Sequence, residues 1–137
     1  MTVKDCVIVE LPRYLDSRGN LSFVEQNNHI PFEIQRTYWI YDVPGGENRG
    51  GHAFKQTDEF IIALSGSFDV VVDDGNSKKV FKLNRSYYGL YIPKGIWREI
   101  NNFSTNSLVL EFASTKYDSN DYIRNYNEYA QMYGEEV

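Results

Sequence analysis

At 137 residues the chain has the length of one domain and can bury a core without disulfides or a structural metal. Its 19 acidic residues outnumber 14 basic ones, and no basic block is present, which argues against a nucleic-acid or anionic-membrane surface. The single cysteine, Cys6, cannot form an internal disulfide, and the N-terminal apolar run is too short for a signal peptide or a membrane span. We therefore expect a single domain, residues 1–137, in the cytoplasm.

The first half of the chain alternates short runs of strand-forming residues with turns. Aromatic residues make up 15% of the chain, and aromatic and β-branched residues favour half-buried sheet surfaces. The sequence predicts strands over residues 6–11, 21–26 and 34–43. Gly19 marks a turn between the first two strands, Pro31 interrupts the chain before the third, and a glycine-rich loop follows.

The second half predicts a further series of strands. Residues 51–83 predict three strands, separated by hairpin signals at Ser65-Gly66 and Asp74-Gly75. A strand, a turn around Pro93 and a second strand follow, and residues 107–114 form an apolar strand.

The C-terminal tail changes from the period of a strand to that of a helix. Ser119 or Asn120 is the predicted N-cap. Side chains at helical spacing follow it: Tyr122, Ile123, Tyr126, Tyr129 and Tyr133. Many short strands with frequent turn signals indicate an all-β sandwich or barrel of the jelly-roll kind. The predicted fold is therefore an all-β jelly-roll barrel with a short C-terminal helix.

The stretch RGGHAFKQTDEF resembles the first signature of the cupin family. His52, Glu59 and Gly66 stand where that signature has a histidine, a glutamate and a glycine, but Phe54 stands where its second histidine belongs. The stretch PKGIWREINN resembles the second cupin signature, with Arg98 in place of its histidine. The resemblance implies that the barrel is of the cupin type.

The two departures from the cupin signatures argue against a metal site. Transition metals in proteins take three or four protein ligands, and here only His52 and Glu59 remain as ligating side chains. Arg98 would repel a cation, because its guanidinium keeps its proton. We therefore expect no metal and no cofactor. A fixed positive charge in the pocket could instead stabilise a developing oxyanion.

Nearly the whole chain resembles the sugar 3,4-ketoisomerases that act on dTDP-4-keto-6-deoxyglucose. The matching stretches are DSRGNL, IPFEIQRTYWIYDV, RGGHAFK, LSGSFDVVVDDG, YYGLYIPKGIWREINNFS and YDSNDYIRNYNEY. The resemblance implies an enzyme that moves a ketone from C4 to C3 of a dTDP-linked deoxysugar through an enediol or enediolate. It also implies a role in making 3-amino deoxysugars for bacterial surface polysaccharide, and a homodimer that exchanges N-terminal strands.

His52 is the expected catalytic base. Histidine titrates near neutral pH, and the resemblance places the family's catalytic histidine at this position. Phe54 cannot carry a proton, as the family's second histidine is thought to do. Tyr38, Tyr88, Tyr91 or a water could take that role, and the sequence does not choose among them.

Charged and aromatic side chains are assigned to substrate binding. Arg49, next to the glycine-rich loop, suits a pyrophosphate because its fork can pair with two oxygens. The other residues assigned to this role are Arg18, Tyr38, Lys55, Glu59, Tyr91, Trp97 and Arg98. Alternatively, Glu59 could pair with Arg49 or Lys55 on a strand face, and Trp97 could belong to the core.

The configuration at C4 of the product stays open at this stage. Arg18 resembles the galacto-type members of the family and Arg98 resembles the gluco-type members, so the chain has one feature of each. Two other functions also stay open. One is an epimerase of nucleotide-linked 4-keto sugars, and the other is a cupin that binds a nucleotide sugar without turning it over.

Overall fold

Two five-stranded antiparallel sheets make up most of the fold in the computed structural model, which describes residues 1–134. The strands in chain order are β1 (Val7–Glu10), β2 (Arg13–Asp16), β3 (Gly19–Ser22), β4 (Arg36–Ile40), β5 (Arg49–Phe54), β6 (Glu59–Ser65), β7 (Phe68–Asp73), β8 (Lys78–Leu83), β9 (Tyr88–Ile92), β10 (Trp97–Asn101), β11 (Leu108–Ala113) and β12 (Tyr122–Ile123). The first sheet has the order β1-β9-β6-β11-β4, the second has the order β12-β5-β10-β7-β8, and β2 pairs only with β3. One helix, α1 (Tyr126–Tyr133), ends the described chain. The expected jelly-roll with a C-terminal helix is confirmed.

The main core lies between the two sheets and follows from strand alternation. On β7, Phe68, Val70 and Val72 are buried, because every second side chain of a strand faces the same side. Ile61 of β6 and Leu90 of β9 belong to the same buried cluster and come from the other sheet. The same register places some polar side chains inside, and these form the site described below.

Helix α1 packs on the outer face of the second sheet through Tyr129. This side chain is fully buried, and its hydroxyl donates to the backbone oxygens of Asp73 at 3.1 Å and Gly95 at 2.7 Å. Ala53, Trp97 and Tyr129 form part of one apolar cluster beneath the helix. Within residues 1–134, no helix is both long enough and apolar enough to cross a membrane.

Two strand predictions differ from the structure. Residues 49–83 contain four strands, where the sequence predicted three over 51–83, because the break between β5 and β6 contains no glycine or proline. The strand predicted over residues 21–26 ends at Ser22. Ser22 pairs with Arg13, the first residue of β2, so no partner strand extends further.

The C-terminal helix begins later than the sequence predicted. Asn125 is the N-cap of α1, and its side chain accepts a hydrogen bond from the backbone of Glu128. Residues 119–121 form a short 3-10 helix instead, and Tyr122 pairs with Phe54 across β12 and β5. The prediction that the helix starts after Ser119 or Asn120 was therefore wrong, because sheet pairing takes Tyr122 out of the helical stripe.

Candidate active site

A cavity of about 420 Å³ is lined by residues from both sheets. Tyr38 of β4 and Glu111 of β11 come from the first sheet, and His52 of β5 and Arg98 of β10 come from the second. The other lining residues are Trp39, Ile40, Asn48, Arg49, Gly50, Tyr122 and Arg124. The cavity therefore combines an imidazole, a phenol, a carboxyl group and several guanidinium groups.

His52 is a buried imidazole with an unused nitrogen. Its side chain packs against the rings of Phe54 and Tyr122, with centroid separations of 4.7 and 5.0 Å. Nε2 is buried and has no hydrogen-bond partner among residues 1–134. Burial lowers the pKa of His52 to about 3, and the positive charge of Arg98 adds to this effect. At neutral pH the imidazole is therefore uncharged and can accept a proton.

Arg98 lies at the centre of a buried cluster of charged and polar groups. Its Nη2 atom donates to Glu59 Oε1 at 2.8 Å, to Glu111 Oε1 at 2.9 Å and to the hydroxyl of Tyr38 at 3.2 Å. Its Nε atom lies 3.2 and 3.3 Å from the two carboxyl oxygens of Glu59. Arg98 is only 1% exposed and Glu59 only 2%, so this is an interior ion pair. The partner of Glu59 is thus Arg98, whereas the sequence offered Arg49 or Lys55.

Gly50 provides the space that the Arg98 side chain occupies. Its backbone oxygen accepts a hydrogen bond from Arg98 Nη1 at 3.2 Å. A Cβ atom at Gly50 would collide with that same Nη1 atom, and the residue has φ +78°, a conformation that favours glycine. The glycine-rich stretch before His52 therefore has a packing role in the site.

The pKa values of the two carboxyl groups in the cluster shift in opposite directions. Burial opposes ionisation of Glu59, but the charge and hydrogen bonds of Arg98 outweigh burial and hold the pKa of Glu59 below its usual value. Burial raises the pKa of Glu111 to about 8 against the opposing charge of Arg98, and the charge of Glu59 raises it further. Burial also raises the pKa of Tyr38, and the charges of Glu111 and Glu59 reinforce this.

Two exposed cations border the cavity. Arg49 on β5 and Arg124 after β12 are both exposed and both line the cavity. The guanidinium carbon of Arg124 lies 4.2 Å from the centroid of the Tyr122 ring, which holds the cation over an aromatic face. Exposed guanidinium groups at the border of a cavity suit the phosphates of a nucleotide.

Phe54 fills its position with an apolar ring. It is 1% exposed, and its ring centroid lies 4.6 Å from that of Tyr122. The guanidinium carbon of Arg36 lies 5.7 Å from the Phe54 ring centroid. The neighbourhood of His52 on this side therefore contains aromatic rings and no second imidazole.

The structure brings together five of the residues singled out from the sequence. His52, Tyr38, Arg49 and Arg98 line the cavity, and Glu59 pairs with Arg98 immediately behind it. Of the tyrosines considered as proton carriers, Tyr38 alone lines this cavity. The Tyr88 hydroxyl instead bonds to Asn84.

Four other assigned residues lie elsewhere in the described chain. Trp97 packs under α1, and Tyr91 packs in a cluster with Phe32 on the outer face of the first sheet. Lys55 is exposed and borders a different depression. Arg18 is on the β2–β3 hairpin, with a side chain 89% exposed and paired with Asp16.

Among the cavity residues that the sequence analysis missed, three carry a carboxyl, phenol or guanidinium group: Glu111, Tyr122 and Arg124. Glu111 had a usable signal, because it lies two residues from both Val109 and Ala113 on an apolar strand, and all three positions are buried. A carboxyl group at an inward position of a buried strand needs a partner, which points to a site. Tyr122 and Arg124 were hidden by the assignment of their segment to a helix.

The donor set at the cupin position does not suit a metal. Both oxygens of Glu59 accept hydrogen bonds from Arg98, and Phe54 has no donor atom. Among residues 1–134, no group of three or more His, Cys, Asp and Glu side chains is arranged to hold a metal ion. The chemistry of this site therefore has to be derived from the side chains themselves.

Comparison with known proteins gives the family. The family model described as WxcM-like, C-terminal matches residues 4–134. The chain belongs to this family. A TDP-4-oxo-6-deoxy-α-D-glucose 3,4-oxoisomerase from Aneurinibacillus thermoaerophilus is 38% identical over 122 residues, which are 89% of this chain and 88% of the relative.

Solved structures of 3,4-ketoisomerases have the same fold. WlaRB from Campylobacter jejuni, a TDP-quinovose 3,4-ketoisomerase, is 43% identical with a TM-score of 0.89, and the match covers 93% of this chain and 98% of WlaRB. A variant of QdtA, a 3,4-ketoisomerase from Thermoanaerobacterium thermosaccharolyticum, was solved with TDP-4-keto-6-deoxyglucose. It is 33% identical with a TM-score of 0.91, and the match covers 93% of each chain. These neighbours of the chain are TDP-sugar 3,4-ketoisomerases.

Proposed function

We propose that this protein is a 3,4-ketoisomerase that moves the ketone of a TDP-linked 4-keto-6-deoxyhexose from C4 to C3. The observation that carries the proposal is the His52 imidazole, which is uncharged, buried and unpartnered at Nε2 within residues 1–134, in a cavity beside a guanidinium. The 38% identical relative is an enzyme of this kind, and this supports the same activity here.

The proposed reaction begins with proton abstraction by His52. Nε2 takes the proton from C3, next to the C4 ketone, and the electron pair of the broken C–H bond forms the enediolate. Arg98 lies opposite His52 in the sheet, so its positive charge lies close to the developing negative charge on oxygen. His52 then returns a proton to C4, and the ketone ends at C3.

The nucleotide part of the substrate is assigned to the border of the cavity. Arg49 and Arg124 provide positive charge for the pyrophosphate, and their forked groups can each bind two oxygens. No metal or cofactor is assigned to the reaction. A cytoplasmic location is part of the proposal, supported by the one cysteine, Cys6, which is a free thiol.

The proposal includes a homodimer with exchanged N-terminal strands. A two-stranded hairpin is marginal by itself, yet the β2–β3 hairpin pairs with no other strand of the described chain. Its side chains Tyr14, Leu15 and Leu21 are 58–61% exposed, which leaves an apolar surface that a second copy could cover. Size-exclusion chromatography with light scattering tests this, and a monomer at micromolar concentration would contradict it.

Proton NMR in deuterated buffer tests the activity. We expect TDP-4-keto-6-deoxyglucose to give a 3-keto sugar with deuterium at C4, and His52→Asn to give none. Deuterium at C3 or C5 without ketone migration would instead indicate an epimerase. Binding without any exchange would indicate a non-catalytic sugar-nucleotide cupin. A parallel reaction in ordinary water, where C4 of the product carries a proton, would distinguish the gluco from the galacto product by the coupling between the C4 and C5 protons, a choice that Arg18 and Arg98 leave open.

A further inference from the structure

Two buried carboxyl groups share one guanidinium in this site. Arg98 Nη2 lies 2.8 Å from Glu59 Oε1 and 2.9 Å from Glu111 Oε1, and the Glu59 and Glu111 side chains are 3% and 0% exposed. If both carboxyl groups were ionised, two negative charges and one positive charge would leave a net negative charge in the interior. Like charges that share a buried site keep one proton between them. One of the two carboxyl groups is therefore a carboxylic acid.

The hydrogen bonds show which carboxyl group holds the proton. Glu59 accepts from Arg98 Nε at both of its oxygens, from Arg98 Nη2, and from the Tyr38 hydroxyl at 3.4 Å. At Oε1, Glu111 accepts from Arg98 at 2.9 Å, and hydrogen bonding with Glu59 and Tyr38 also affects the pKa of this carboxyl group. Its Oε2 atom is buried and has no partner in the described part of the chain. A charged oxygen left in that state would be strongly disfavoured, so the negative charge belongs to Glu59 and the proton belongs to Glu111.

The electrostatics of the cluster agree with this assignment. The pKa of Glu111 is raised to about 8 and the pKa of Glu59 is lowered, so the two groups differ at neutral pH. Charged or titratable groups of this cluster come from five strands: Arg36 and Tyr38 on β4, His52 on β5, Glu59 on β6, Arg98 on β10 and Glu111 on β11. Three more charged or titratable groups lie at the border of the same cavity: Arg49, Tyr122 and Arg124.

Glu111 lines the same cavity as His52, so its carboxyl proton is available to a ligand bound there. We propose that Glu111 is the second proton carrier of the isomerisation, moving a hydroxyl proton between two sugar oxygens while His52 moves the carbon-bound proton. This inference rests on the proposed function. It also accounts for Phe54, which supplies no proton-carrying atom at the position where cupins have a second histidine.

The proposed transfers balance. His52 takes the C3 proton and becomes an imidazolium, while the C–H electron pair forms the C3–C4 double bond and the C4 carbonyl electrons move to O4. Glu111 gives its proton to O4, which makes the neutral enediol and leaves Glu111 as a carboxylate beside Arg98. Glu111 then takes the proton from O3 as the C3 carbonyl forms, and His52 gives its proton to C4. Both side chains return to their starting states, with no oxidant or reductant consumed.

The test separates proton abstraction at carbon from migration of the ketone. In deuterated buffer, proton NMR gives the rate of C3 proton loss from TDP-4-keto-6-deoxyglucose and the rate of 3-keto sugar formation. Glu111→Gln keeps an oxygen that accepts from Arg98 but cannot carry a proton. We expect ketone migration to fall about 10²–10⁴-fold while C3 exchange stays within a few-fold of wild type. Glu99→Gln makes the same change on the outer face of β10 and should retain both rates.

Two outcomes would overturn the inference. Migration at the wild-type rate in Glu111→Gln would show that another group carries the oxygen proton. An equal fall in exchange and migration, in a variant that melts like wild type, would show that Glu111 only shapes the site. These outcomes differ from failure of the proposed function, in which the wild-type protein itself makes no 3-keto sugar.

A second measurement uses the wild-type protein alone, so it tests the role of Glu111 even if Glu111→Gln fails to fold. The ratio of ketone migration to C3 exchange is measured for the wild-type protein from pH 6 to pH 10. We expect the ratio to fall as pH rises through the ionisation of Glu111, because exchange needs only neutral His52 whereas migration needs the carboxylic acid. A ratio that stays constant over this range would contradict the proposal.

Discussion

His52 and Arg98 lie directly opposite one another on the antiparallel strands β5 and β10. This register places a permanent cation beside the imidazole that has to accept a proton. Burial and then the charge of Arg98 keep the free imidazole uncharged. In the proposed reaction the same cation stabilises negative charge on the bound sugar. In the proposed mechanism, this cross-strand pair provides both the base and the positive charge that an enolising site needs.

Ligand binding is expected to raise the pKa of His52. Its pKa of about 3 comes from burial and then from the charges of Arg98, Arg124 and Arg36, against Glu59. In the proposed binding mode the diphosphate of TDP lies near Arg124, so its negative charge should offset part of this repulsion and make His52 a stronger base. NMR titration of the imidazole with and without TDP measures the shift, and the His29 signal serves as the reference. An unchanged or lower pKa with saturating TDP would contradict the expectation.

The buried imidazole also predicts how stability depends on pH. The folded-state pKa of about 3 lies below the ordinary value of 6.5, so between these values the unfolded chain binds a proton that the folded chain does not. The stabilisation is present above pH 6.5 and is lost as pH falls toward 3, by up to about 1.4 kcal/mol per pH unit. Urea unfolding at pH 7, 5.5 and 4.5 should show a shallower dependence for His52→Gln than for wild type. Equal slopes would show that His52 is not the group responsible.

Removal of the guanidinium should destabilise the fold. Arg98→Met leaves Glu59 and Glu111 buried without their shared cation, and breaking a buried pair in this way costs about 3–5 kcal/mol. The loss should increase with pH, because higher pH favours ionisation of the orphaned carboxyl groups. Urea unfolding at pH 6 and pH 8.5 measures it. Arg18→Met, at a side chain 89% exposed, is the matched control and should change stability by less than about 0.5 kcal/mol.

The exposed guanidinium at Arg124 should contribute to diphosphate affinity. A hydrogen bond to a charged group is worth about 1.5–3 kcal/mol, so Arg124→Met should raise the Kd for TDP by about tenfold or more. Calorimetry with TDP and with thymidine separates the phosphate contribution, since thymidine binding should change little. Lys116→Met, an exposed lysine away from the cavity, is the control. If Arg124→Met weakened the binding of TDP and thymidine equally, Arg124 would act on thymine binding or on the fold and not on the phosphates.

The strand pattern predicted the fold because core strands such as β7 have one buried face. The sequence shows this alternation on β7 and turn signals at Gly66 and Gly75, which both have positive φ. These local features are present in the folded sheets. The tail could not be assigned in the same way. Tyr122 has helical spacing with Tyr126, but its pairing with Phe54 is a contact over 68 positions that no local pattern contains.

The site was only partly predictable for a related reason. His52 and Arg98 stand in recognisable motifs, whereas Glu111 stands in a strand whose pattern is otherwise apolar. Its role depends on β11 lying between β6 and β4, which places Glu111 opposite Tyr38 and close to Glu59. Trp97 illustrates a second limit, because a motif position does not reveal which face of β10 a side chain occupies. Arg98 faces the cavity, and its neighbour Trp97 packs under α1.

Restoring the cupin histidine at position 54 should not improve the enzyme. Phe54 is buried against the His52 and Tyr122 rings, and the guanidinium of Arg36 lies 5.7 Å from its ring centroid. Phe54→His would bury a polar ring beside a cation, and an unsatisfied buried polar group costs about 1–3 kcal/mol. Since Glu111 already carries the oxygen proton in the proposed mechanism, we expect no gain in ketone migration and a lower urea midpoint. Phe54→Leu is the apolar control. Faster ketone migration in Phe54→His, but not in Phe54→Leu, would mean that a second imidazole carries the oxygen proton and that Glu111 does not.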